Sequence, residues 1–330
     1  MAEELIRHYE ASEGGVAPEM SKVIIPKQCK IYEFSPSTKP AVYCNPGDTV
    51  VFETTEAPDG QIRSEEDWRL ELDKNRGNPT TGPVHVARSA RGDTLAILVK
   101  SITLDGPGYL CLHPSIGLLR ETVDRRSIKI VSIEDGAVKV GGMKVPIRPM
   151  IGVIGTTPEQ PVRTTEFGPF GGNMDNRQIT EGTCVFLPVF VDGALLGIGD
   201  LHASMGDGEI SGSGIEIAGK AKVVVNVLRG VSFGFPVVET ETEIMFAGEG
   251  EMLIDAVKLA CRRAHSFLVE YCGMSNRDAH MFLAAFGHVK VSQCAFCDCT
   301  DDYRGLTNAA ARLAIDKETG IPSVHKLVGV

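Results

Sequence analysis

The stretch richest in reactive side chains is Gly199-Asp200-Leu201-His202-Ala203-Ser204-Met205-Gly206-Asp207-Gly208-Glu209, which gathers three carboxylates and one imidazole within ten residues. On a strand, residues two apart share a face, so Asp200 and His202 project together. Gly206 and Gly208 let the chain turn sharply and return Asp207 or Glu209 towards them. Mixed oxygen and nitrogen donors suit Zn²⁺ and, less specifically, Mn²⁺ or Fe²⁺. The same letters also read as an ordinary Asp-Gly loop after a strand, and this stretch alone leaves both readings open.

Two further polar stretches bear on the choice. Phe170-Gly171-Gly172-Asn173-Met174-Asp175-Asn176-Arg177 again spaces Asn173 and Asp175 two apart, beside glycines that permit close backbone approach to a ligand. Alone it reads as an Asx-stabilised loop. Asn78-Pro79-Thr80-Thr81-Gly82-Pro83-Val84-His85 is turn-rich and follows the Asp59-Gly60-Gln61 turn; alone it reads as surface.

Other nucleophile patterns are weaker. Gly230-Val231-Ser232-Phe233-Gly234 has the letters of a nucleophile elbow, but that motif needs a helix after the serine. Phe235-Pro236-Val237-Val238 reads as a strand instead. Ser211-Gly212-Ser213-Gly214 has no lysine at a useful spacing, and Cys184 sits in an apolar run as a packed thiol. Cys294-x-x-Cys297-x-Cys299 could bind zinc with Cys272, His280 or His288 as a fourth ligand; unligated thiols are the simpler reading. His265, His280 and His288 read as surface or packing residues.

The elements that must position these groups are mostly strands. Thirty-six glycines and eighteen prolines in 330 residues punctuate short β segments. Val23–Phe34 and Ala41–Glu53 flank turns, and Asn45-Pro46-Gly47-Asp48 precedes a β-branched run. Residues 59–83 read as polar loop with one helical turn near Glu65–Leu72. Thr94–Thr103 and Gly106–His113 follow as strands. Asp135-Gly136 joins Ser127–Glu134 to Ala137–Val140 as a hairpin. Gly141–Pro149 marks a boundary, after which strands are expected at Met150–Ile154, Thr183–Val191, Ala194–Ile198, Gly214–Val227 and Val237–Met245. From about Glu249 the period becomes helical. A second helix is expected at Asn276–Ala285, capped by Ser275 and followed by Gly287, and a third at Thr307–Asp316. The division expected is 1–145, an N-terminal β subdomain; 146–248, a second β subdomain with the metal site; and 249–330, an α+β portion.

Taken together, the polar stretches resemble the acetamidase/formamidase family. The resemblance rests on Pro46-Gly47-Asp48, Asp59-Gly60-Gln61, Asn78 to Pro83, Gly152-x-Ile154-Gly155, Gly172-Asn173-Met174-Asp175, Gly199-Asp200-x-His202-Ala203 through Glu209, and Gly214-Ile215-Glu216, in that order over about residues 40 to 290. It implies a mainly β fold of two β-sandwich (CUB-like) subdomains that exchange strands, and hydrolysis of short aliphatic amides with a divalent metal, zinc foremost. Asp175, Asp200 and His202 are the ligands expected. Glu209 is the expected general base, with Asp207 and Glu216 as substitutes. Asn173, or a backbone N–H of Gly171-Gly172, would steady the oxyanion. Asn78, Thr81, Gly82 and Gly172 would line the substrate.

After Val291 the chain departs from the family pattern. This leaves open a non-catalytic metal-binding or scaffold role, and equally a larger amide or γ-lactam as substrate. A net charge of −10 without a Lys/Arg cluster argues against nucleic acid and anionic lipid. Apolar runs such as Val223–Val227 and Cys184–Val191 are too short to span a bilayer. The polar start MAEELIRHYE does not read as a secretory signal, so a cytoplasmic protein is expected. Apolar strand edges favour a homodimer or larger homo-oligomer.

Overall fold

The computed structural model describes residues 21–295 and 309–327. Strands account for 42% of the chain and helices for 16%, so the body is β as the turn chemistry implies. Seventeen strands join one curled sheet among the described residues. Its backbone is the strand Thr94–Leu112, longer than the two segments expected, which pairs antiparallel with Cys184–Pro188, Glu216–Leu228 and Ser127–Val131. The Asp135-Gly136 turn has both residues at positive φ, 51° and 67°, the conformation a tight hairpin requires.

Four strand registers place the chemistry. Met150–Gly155 pairs with Leu196–His202, setting Met150 opposite His202. His202 in turn faces Glu216, and Glu216 faces Tyr109. Gly171–Asn173 pairs back on Met150–Gly155, setting Asn173 opposite Val153 just before Asp175. Residues far apart in sequence are thus delivered to one end of the sheet by the ladders.

One apolar core, including Ile25, Phe52, Leu95, Ile154 and Leu196, fills the curl of the sheet. A second lies beneath the helix Leu253–Glu270, where the Phe267 ring packs tilted at 4.9 Å from Phe246 and 5.6 Å from Phe233. The helix Asn276–Phe286 begins as expected, with the Ser275 side chain accepting from the Asp278 N–H. No helix of the described residues is long and apolar enough to cross a membrane.

The third helix is corrected. Ala309–Asp316 is a strand inserted between Glu243–Gly250 and Gly287–Gln293, and Thr307 lies outside the described residues. Alanine-rich letters favour a helix locally. Here the small side chains serve packing instead: Ala309 and Ala311 cluster with Ala256 of the overlying helix.

Candidate active site

The Leu196–His202 strand carries Asp200 and His202 to its end, and both side chains are buried. His202 Nε2 lies 3.2 Å from Glu216 Oε2 and 3.5 Å from Asp200 Oδ1. Asp175 joins from its loop: donor atoms of Asp175, Asp200 and His202 all fall within 4.8 Å of one another, as do those of His202, Glu209 and Glu216. Four carboxylates therefore surround one imidazole at the floor of a cavity of about 1000 Å³.

Two glycines make room for this crowd. A Cβ on Gly152 would stand 2.6 Å from Asp200 Oδ2 and 2.7 Å from Asp175 Oδ1; one on Gly214 would stand 2.5 Å from His202 Nδ1. Asn78 ties two pieces together, donating from Nδ2 to Asn173 Oδ1 at 3.0 Å and to Asp200 Oδ2 at 3.1 Å. Gln293 donates to Asp175 Oδ2 at 3.3 Å. Glu209 is held by its turn: Gly208 N–H donates to the Ser292 carbonyl and Cys294 N–H to the Gly208 carbonyl, at 3.0 and 3.1 Å.

Burial of so many acids shapes their titration. Burial, then the Asp200 carboxylate, pushes Asp175 up to about 7. Burial, then Asp175, holds Glu209 well above the usual carboxylate range. Glu216 is raised by burial, against the opposing pull of His202. Burial disfavours a charged His202, yet the adjacent Glu216 and Asp200 outweigh it and raise its pKa well above the usual value. Tyr109 is kept neutral by burial and by Glu216.

The donor set fits a divalent cation. Asp175 Oδ1, Asp200 Oδ1, Glu216 Oε2 and both His202 ring nitrogens are buried without a hydrogen bond. Ligands about 2.05 Å from a tetrahedral ion stand about 3.3 Å apart, which matches the His202 separations. A buried excess of carboxylates calls for neutralisation, by bound protons or by a cation, and the unpartnered donors face one another as a cation would require.

Not every expected residue reaches this floor. Asp207 turns away and pairs with Arg312 at 2.8 Å. Thr81 spends its hydroxyl on the Glu53 carbonyl at 2.7 Å, and Gly82 packs on Leu196 and Gly197, so neither lines the cavity. Gly172 packs against the Glu166 carbonyl and Phe170, also off the cavity. Asn78 and Asn173 do line it. The sequence reading missed Tyr109, His113 and Gln293; the ladder opposite Glu216 would have pointed to Tyr109, but register cannot be read from letters. The Ser211–Ser213 segment lines the cavity as a rim. Gly230–Gly234 links two strands, as expected of a chance motif. Cys294 is buried, with Sγ 3.4 Å from the Gly208 carbonyl oxygen, while Cys297 and Cys299 lie outside the described residues.

The model of the acetamidase/formamidase family matches the chain twice, over residues 25–167 and 160–293, and two successive matches fit two β subdomains. The chain is 36% identical to an acetamidase of Bacillus halodurans, with a TM-score of 0.85 over 93% of this chain and 100% of that one. It is 34% identical to a predicted acetamidase/formamidase of Thermoanaerobacter tengcongensis, with a TM-score of 0.86 over 92% and 100%. An acetamidase of Mycolicibacterium smegmatis is 49% identical over 61 residues, a segment that is 18% of this chain and 15% of that one.

Proposed function

The chain belongs to the acetamidase/formamidase family, and on that premise we propose that it hydrolyses the C–N bond of short primary amides, formamide or acetamide among them, to a carboxylate and ammonia. The observation that carries this reading is the convergence of Asp175, Asp200, His202, Glu209 and Glu216 at one end of the cavity, with unpartnered donor atoms on all of them but Glu209.

In this reading Asp175, Asp200 and His202 would hold a divalent metal, zinc foremost. When bound, that ion supplies Lewis-acid polarisation of the amide carbonyl and a lowered pKa for water. Glu209 takes a proton from the attacking water at its carboxylate. Water oxygen bonds to the carbonyl carbon; the C–N bond then breaks and its electron pair leaves with nitrogen. Glu209 returns the proton to that nitrogen, which departs as ammonia. Its place beside His202 and Glu216 on the cavity wall supports that double role. Glu216, 3.2 Å from His202, fixes the imidazole or adds a further ligand. With Oδ1 engaged by Asn78, Asn173 presents Nδ2 as a donor to the developing oxyanion.

The test is ammonia release from formamide, acetamide, propionamide and a γ-lactam, before and after chelation and after zinc is restored. Turnover that vanishes with chelator and returns with zinc is expected. Turnover indifferent to metal removal would sink the metal role, and none with metal bound would sink the amidase reading. We further propose a cytoplasmic homodimer or larger assembly; gel filtration at the mass of one chain would refute the assembly.

A further inference from the structure

The cavity above the carboxylate floor is much larger than the amides just named. Pockets of about 300–1,000 Å³ bury ligands of drug size, and this one, open on its outer side, has about 1000 Å³. Acetamide occupies on the order of three water volumes, ~30 Å³ each.

The space is not evenly polar. Tyr109, opposite Glu216 in the ladder, lines it together with Cys111, Ile62, Leu72 and Pro58, while Glu71, Asp73, Lys74, Arg126 and Arg163 line other parts. Ile62 and Tyr109 form a buried apolar cluster with Ile128, against which Leu72, Cys111 and Trp68 pack. The wall is braced from both ends. Arg126 donates to the carbonyls of Trp68 at 2.7 Å and Asp67 at 3.1 Å. Asp59, buried at the other end, pairs with Lys30, Arg76 at 2.7 Å and the Tyr32 hydroxyl at 2.6 Å. A passage for formamide and water gains nothing from a rigid apolar lining. An apolar surface that starts beside the reacting carboxylates desolvates an apolar substituent there.

We propose that the Tyr109–Cys111–Ile62–Leu72 wall is an acyl-chain subsite, and that the preferred substrate is a primary amide with an uncharged aliphatic or arylalkyl acyl group well beyond acetyl. The inference rests on the amidase reading. Ammonia leaves from the primary amide nitrogen, so the substituent that needs the wall is on the acyl side. Formamide and acetamide then act as truncated substrates that leave the wall wet.

The experiment measures kcat/KM of the zinc-loaded protein for formamide, acetamide, butyramide, hexanamide and phenylacetamide. Each methylene buried on the wall is expected to contribute about three- to four-fold, so hexanamide should exceed acetamide by on the order of 100-fold. In Leu72→Asn and Ile62→Ala, each checked for folding by thermal melt, the hexanamide-to-acetamide ratio should fall about five-fold or more. A ratio that stays flat or falls with chain length overturns the subsite and leaves the amidase reading standing. An unchanged ratio in both folded variants also overturns it. No turnover of any amide overturns both.

Discussion

Replacing Gly214 by alanine tests whether the imidazole's position is set by the empty space beside it. Gly214 is not in the left-handed conformation, so its backbone accepts alanine. The added Cβ would lie 2.5 Å from His202 Nδ1, 2.8 Å from Cγ and 3.1 Å from Cε1. Carbon contacts relax to about 3.5–4.0 Å, so the ring must shift by about 1 Å. His202 is 1% exposed and cannot swing into solvent, and overpacking of this kind costs about 1–3 kcal/mol. A 1 Å misplacement of a reacting group costs about 100-fold in rate. Gly206→Ala is the matched control: a Cβ there meets nothing within 4 Å, and its backbone is also outside the left-handed region. The assay is kcat/KM for acetamide with zinc counted per chain by mass spectrometry and stability by denaturant melt. Gly214→Ala should lose about 100-fold in kcat/KM together with part of its zinc, while Gly206→Ala stays within about two-fold. If both variants keep wild-type activity and zinc, the crowding around His202 does not set the site.

Three other outcomes follow from named contacts. Arg312 is fully buried and Asp207, its partner, is 39% exposed, so their removals should differ. Asp207→Ala leaves the buried guanidinium its bonds to the Val291 carbonyl and Ser292 Oγ but no counter-charge, and should cost about 1–2 kcal/mol after allowance for solvent at Asp207, whereas Arg312→Met loses all three contacts and should cost about 2–4 kcal/mol; urea melts in the reverse order would refute this. Asn78→Ala frees both Asn173 and Asp200 and should lower activity or zinc affinity about 10- to 100-fold, read by kinetics and competition with a chelator; an unchanged enzyme would remove Asn78 from the site. Asp59 is raised by burial, but Lys30, Tyr32 and Arg76 more than reverse this and hold it at about 2 against a usual 3.8. A folded pKa below the unfolded one stabilises above about pH 4, and that stability is lost as pH falls towards 2. Asp59→Asn should therefore cost about 1–2 kcal/mol at pH 7, after discount for solvent around Lys30 and Arg76, and flatten the acid limb of the melt; identical limbs would refute it.

The β body and the capped helix after Ser275 were legible because turn residues and caps are local signals. So were Asp200, His202 and Asp175, where carboxylate, imidazole and glycine fall close together in sequence. What failed was decided at a distance. Ala309–Asp316 has helical letters and strand neighbours, and the neighbours win because its alanines fit under Ala256. Asp207 shares a turn with Glu209, yet Arg312, far along the chain, draws it off the floor. Thr81 and Gly82 sit in a motif that resembles a site but serve the ladder, while Tyr109 enters the cavity because of strand register alone.

The strained backbone follows the same division. Asn78, Asp175, Asp200 and Glu209 all take left-handed φ values, between 43° and 54°. Such conformations cost of order 1–3 kcal/mol each, and Glu209 lacks the local hydrogen bonding that eases Asn and Asp into them. Ordinary extended or turn backbone at each position, Asp200 within its strand included, would avoid that cost but aim the side chain elsewhere. The fold instead fixes these residues from outside: Asn78 bridges Asn173 and Asp200, Gly152 clears the space for both aspartates, and the Ser292–Cys294 strand end grips the Glu209 turn and Asp175. The family match ends at Gln293, so the last matched residue itself touches the carboxylate floor through Asp175, while Ser292 and Cys294 on either side of it hold the Gly208 backbone.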